Sequence, residues 1–135
     1  MARTRRDVTD TELAILQILW DEGAVTRRRI TDVLYPGGGP AHFTTVQKLL
    51  ERLKAKGHVV RSRDQRGVVF AARIDREQLI SRRLLEMADK LCGGSVTPLL
   101  MNLVRAKPLT EHELRDLKAL IDELGQDSRS KSKLR

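Results

Sequence analysis

A single cysteine, Cys92, stands in 135 residues, so no internal disulfide can form and no Cys-x-x-Cys metal pair exists. A reducing cytoplasm is the compartment this implies. Aromatic residues make up only 3% of the chain, and Trp20 and Phe43 are expected to be buried. Few platforms are then left for stacking single-stranded bases. No apolar run approaches the roughly 20 residues of a membrane span. Met1 to Arg6 lacks the apolar core of a signal peptide. Catalytic patterns are missing too. His42, His58 and His112 share no metal-ligand spacing, no serine lies in Gly-x-Ser-x-Gly, and no Gly-Lys-Ser/Thr follows Gly37-Gly38-Gly39. Cys92 has no histidine base at hand and reads as a buried structural thiol. The carboxylates are scattered, several at helix amino ends where they serve caps and dipoles. An enzyme, a cofactor and a bound metal are therefore not expected.

What the chain does have is charge of uneven distribution. Of a net +8, residues 1–75 carry +5, residues 76–124 are neutral and residues 125–135 carry +3. A polyanionic partner for the first part is the electrostatic reading. A composition 40% hydrophobic and 33% charged describes a folded chain of one domain or two small ones.

Thr9-Asp10-Thr11-Glu12 is a capping box opening a helix to about Glu22, closed by Gly23. Thr26 caps a short second helix bearing Ile30, Val33 and Leu34, ended by Pro36. Gly37 to Pro40 reads as a turn before a third helix from Thr44 to Gly57. There Val46, Leu49, Leu50 and Leu53 form one apolar face, and Thr44, Thr45, Gln47, Lys48 and Arg52 stay outside. Hydroxyls and an amide followed by cations suit base edges first and phosphates next. Residues 58–63 and 68–73 read as two strands joined by Asp64-Gln65-Arg66-Gly67, with Arg61, Arg63 and Arg66 on or near the tip. A helix followed by a basic hairpin is the order of a winged helix-turn-helix, the hairpin touching phosphates or the minor groove.

From Asp75 the character changes. A helix to about Cys92 carries Ile80, Leu84, Met87, Ala88 and Leu91 on one stripe, and Gly93-Gly94 breaks it. Thr97 is placed to cap a second helix, with Leu99, Leu100, Leu103 and Val104. A capping box, Thr110 to Glu113, opens a third with Leu114, Leu117, Leu120, Ile121 and Leu124. Met87 and Met101 are expected as core filler. About fifty residues cannot bury three such stripes against one another, so a second copy of the chain is the simplest cover. Leu84, Met87, Leu91, Leu99, Leu103, Leu114, Leu117 and Ile121 are the expected dimer interface. The fold class is mainly α with a small β-hairpin: a winged helix over 1–74, a three-helix dimerisation region over 75–124, and a basic disordered tail over 125–135.

Leu13 to Trp20, Thr44 to Gly57 and the break Leu91-Cys92-Gly93-Gly94-Ser95 together resemble the BlaI/MecI/CopY family of bacterial repressors over roughly residues 7–124. The resemblance implies a homodimeric winged-helix repressor on an inverted-repeat operator. Of the two release mechanisms in that family, the one of the β-lactam-resistance branch is a cut by a membrane-bound sensor metalloprotease after an Asn followed by an apolar residue. Here that bond would be Asn102–Leu103, although the family pattern usually has an aromatic there. The cysteine cluster of the copper-responsive branch is absent from this tail. Gln47 and Lys48 replace the Arg and Thr of the best-known members; Gln suits adenine and Lys suits guanine. Three competitors stand beside this reading. A small-molecule-sensing regulator would need a polar-studded pocket. An RNA- or ribosome-associated basic module would need more aromatics. A protein-interaction adaptor would leave the arginine hairpin idle.

Overall fold

A computed structural model describes residues 8–133. Among them six helices and one hairpin follow in chain order: α1 Asp10–Glu22, α2 Arg27–Leu34, α3 Pro40–Ala55, β1 Val59–Asp64, β2 Gly67–Ala72, α4 Arg76–Cys92, α5 Thr97–Ala106 and α6 Glu111–Lys133. The chain divides into two compact units between Arg82 and Arg83, inside α4. The sequence had suggested 74/75. Ile74 and Leu79 are both buried in the first core, which carries that unit into α4.

In the first unit, α1, α2 and α3 pack on one another and on the hairpin. Ile15, Leu16, Ile30, Leu50 and Leu53 are fully buried between them. The α1 capping box forms as expected: Thr9 Oγ1 accepts from the Glu12 amide at 3.2 Å, and Glu12 Oε1 accepts from the Thr9 amide at 3.0 Å. Glu12 has a second role that its position alone does not reveal. Its carboxylate is wholly buried and accepts from Lys56 Nζ at 2.6 and 2.9 Å, tying the start of α1 to the end of α3. Burial alone would raise its pKa, but the hydrogen bonds from Lys56 and Thr9 outweigh that and leave it lowered. Thr26 caps α2 by accepting from the Arg29 amide.

The hairpin pairs Val59 with Ala72, Arg61 with Phe70 and Arg63 with Val68. Gly67 takes φ +102° at the turn, a backbone region that other residues rarely enter. A two-stranded hairpin alone is marginal in water. This one is tethered at Phe70, whose amide and carbonyl both bond Val25 in the α1–α2 link, at 2.8 and 3.0 Å. Trp20 is half-buried, and its indole Nε1 donates to the Ile74 carbonyl at 2.9 Å.

The second unit holds the rest of α4 with α5 and α6. α5 has no buried side chain, and every described side chain of α6 is exposed. Three expectations are corrected here. α5 begins at Thr97 with Val96 as an uncapped lead, so the Thr97 hydroxyl does not cap it. The tail from Gly125 is not irregular: α6 continues to Lys133, since Gln, Arg and Lys are good helix formers and one glycine costs a helix only about 1 kcal/mol. Cys92 is half-buried rather than buried, and Met87 and Met101 are about half exposed within the single chain.

Candidate nucleic-acid interface

The geometry begins with α3. Pro40 starts the helix behind Gly39, one turn earlier than Thr44, because a proline at the first turn gives up only an amide that has no helical partner. Thr44 and Thr45 therefore lie in the second turn, not at the cap. Their hydroxyls donate to the Pro40 and Ala41 carbonyls at 3.1 and 3.0 Å, leaving the oxygens free to accept. Val46, Leu49, Leu50 and Leu53 face the core as the periodicity requires. Thr44, Gln47, Lys48, Glu51 and Lys54 are exposed.

The leading end of the helix is held by its turn. Tyr35 and His42 stack with ring centroids 4.5 Å apart, and the Gly38 amide bonds the Tyr35 carbonyl at 2.8 Å. A Cβ on Gly38 would lie 2.8 Å from both His42 Nδ1 and that carbonyl oxygen, so the turn needs glycine for space. His42 is exposed at this end, and its stacking partner lies seven positions away, beyond the reach of a local pattern.

Gln47 and Lys54, seven positions apart, share one flank of α3, and this flank faces the hairpin. With Arg27, Leu50, Glu51, Arg61, Val68 and Phe70 they line a recess of 370 Å³. A second recess, 320 Å³, continues along Lys54, Arg61, Ser62, Arg63 and Val68. Gln47 Nε2 points to Glu51 Oε1 at a long 3.4 Å. Arg52 is exposed but lines neither recess, whereas Lys54, a cation of the last turn of α3, lines both.

The three hairpin arginines are not equivalent. Arg61 and Arg63 are exposed on β1, and neither is paired with a carboxylate among the described residues. Arg66 is paired: its guanidinium meets Asp64 Oδ2 at 2.6 and 3.1 Å, and its amide meets Oδ1 at 2.7 Å. The same bonds lower the Asp64 carboxyl below its ordinary pKa. Arg66 thus closes the turn instead of standing free at the tip, a role visible in the Asp-x-Arg spacing.

The other chemistry-bearing residues do not converge. Among the described residues no group of three or more His, Cys, Asp or Glu is placed to hold a metal. His112 meets Asp116 one turn on in α6. His58 is buried at the start of the hairpin, with Arg82 Nη1 of α4 3.3 Å from its Nε2. No helix of the described residues is long and apolar enough to cross a membrane.

A family model described as penicillinase repressor matches residues 8–123. The chain belongs to the penicillinase repressor family. This is a family of winged-helix transcriptional repressors, in keeping with the helix-and-hairpin face above and with the resemblance carried by Leu13–Trp20 and Thr44–Gly57. The penicillinase repressor of Bacillus licheniformis is 20% identical over 116 residues, covering 86% of this chain and 90% of its own length. That of Staphylococcus aureus is 19% identical over 126 residues, 93% and 99%. Among solved structures, a MarR family protein from Bacillus stearothermophilus is 20% identical with a TM-score of 0.45, covering 90% of this chain and 76% of its own.

Proposed function

We propose that this repressor acts as a homodimer on an inverted-repeat operator, α3 of each copy reading bases and its hairpin holding the backbone. One observation carries the reading: Gln47 and Lys54 of α3 and Arg61 and Arg63 of β1 border one continuous exposed surface. On it Thr44, Gln47 and Lys48 are the base-edge candidates; Thr45 and Arg52 lie on the far flank. The dimer reading rests on the second unit. Leu103 is 60% exposed, Ile121 62% and Leu91 74%, and Leu84, Met87, Leu114 and Leu117 are exposed beside them. So much aliphatic surface on three helices suits a second copy of the same stripes. Footprinting on the promoter of its own gene should show two protected half-sites related by a dyad. Equal affinity for random duplex, or preference for single-stranded RNA, would defeat the reading.

Release by proteolysis at Asn102–Leu103 fits the same scheme. The Asn102 amide donates to the Pro98 carbonyl at 2.8 Å within α5. A ten-residue helix with no buried side chain has little of its own to resist local opening. A cut there by a membrane-bound sensor protease would separate α6 from α4 and weaken the dimer. Mass spectrometry of induced cells should find a fragment ending at Asn102. Full-length protein persisting through derepression would exclude this trigger.

A further inference from the structure

The recess between α3 and the hairpin has a charge pattern that neither element supplies alone. Arg27 reaches it from the first residue of α2, Lys54 from the last turn of α3, and Arg61 from β1. Its apolar lining is Leu50, Val68 and Phe70. The Arg27 guanidinium lies 4.0 Å from the centroid of the Phe43 ring, which holds the half-buried arginine by cation–π attraction rather than by a counter-ion. None of the three cations forms an ion pair among the described residues. Elsewhere in this unit the cations near carboxylates are used: Arg29 on Glu22, Lys56 on Glu12, Arg66 on Asp64, Arg76 on Asp21. Three like charges gathered over an apolar floor repel one another, and an anion among them relieves that repulsion.

We infer that this recess is the seat of one DNA backbone phosphate, held at once by Arg27, Lys54 and Arg61. The inference rests on reading this face as the DNA-binding one. A phosphate fits better than a free organic anion because the recess runs into the second one along Arg63, a track rather than a closed chamber. One consequence is that Arg27, far from the recognition helix in sequence, fixes the depth at which α3 enters the groove. Another is that Glu51, the one carboxylate in the lining, opposes the bound phosphate.

The test is the salt dependence of binding to operator and random duplex, measured by fluorescence anisotropy with the full chain. Arg27→Gln and Lys54→Gln should each weaken binding to both duplexes alike and lower the salt slope, together by about one unit, the share of a single phosphate. Arg66→Gln, already paired with Asp64, should leave the slope unchanged. Glu51→Gln should move the other way and tighten binding to random duplex several-fold. Because Arg27 also packs on Phe43, its variant is checked by the unfolding transition of Trp20. Lys54 is exposed and carries no such risk. A wild-type slope retained in Lys54→Gln and in folded Arg27→Gln would overturn the seat. So would weakened binding in Glu51→Gln. If the wild type itself shows no salt-dependent duplex binding, the DNA-binding reading falls first and the seat falls with it.

Discussion

Replacing Lys56 by methionine should destabilise the winged-helix unit more than replacing its partner Glu12 by glutamine. Glu12 is fully buried, whereas the Lys56 side chain is 17% exposed. Without the ammonium, the carboxylate stays in an apolar core with the Thr9 amide still donating at 3.0 Å. Stranding one ion of a buried pair costs about 3–5 kcal/mol. Water reaching the lysine side of the pair puts this case near the lower end, about 3 kcal/mol. Glu12→Gln keeps an acceptor for Thr9 and lets the Lys56 ammonium turn to solvent, so about 1–2 kcal/mol is expected. Urea denaturation followed by the fluorescence of Trp20, the sole tryptophan, reads both on the unit that holds the pair. The pH dependence supplies a second check. The Glu12 carboxyl is lowered in the folded chain, so the unfolded chain takes up its proton at higher pH. Its contribution is complete above the ordinary glutamate range and is lost as pH falls through that range toward the lowered folded value. In Lys56→Met this loss on acidification should shrink. A Lys56→Met cost below about 1 kcal/mol, or one smaller than that of Glu12→Gln, would refute the argument that an orphaned buried charge dominates.

Three further outcomes are expected. Leu103→Asp or Leu117→Asp should sediment as monomer while Trp20 unfolds normally, since an unpaired charge in an apolar interface is costly; a dimer surviving in both would remove α5 and α6 from the interface. Gln47→Ala should lose on the order of 1–3 kcal/mol of affinity at one base position and little on random DNA, as a panel of single-base operator variants would show. Gly38→Ala should cost about 1–3 kcal/mol of stability, because the new methyl must displace His42 or the Tyr35 carbonyl; unchanged denaturation would mean the turn yields freely.

The elements were legible wherever their signals are local. The Thr9–Glu12 and Thr110–Glu113 capping boxes form with both bonds, and the Asp64–Gly67 turn stands where its residues demand. The start of α3 was missed because three glycines before Pro40 speak for a turn more loudly than a proline speaks for a first helical position. Roles that join distant segments left no trace in any window. Glu12 and Lys56 are 44 positions apart, and Arg27 meets Lys54 and Arg61 only once α2, α3 and the hairpin close on one core. Charge could be counted from the sequence, but not which cations keep a carboxylate for themselves. That distinction separates Arg66 from Arg61 and Arg63.

The bond pair between Val25 and Phe70 covers part of one margin of the hairpin, while β1 has no neighbour on its other side among the described residues. Such a margin is a template for another chain's strand, and charged side chains along it are a common deterrent. Arg61 and Arg63 stand on that margin. The residues proposed to hold DNA therefore also keep copies of the protein from zipping together edge to edge. A variant lacking both should be examined for aggregation before its loss of affinity is ascribed to DNA.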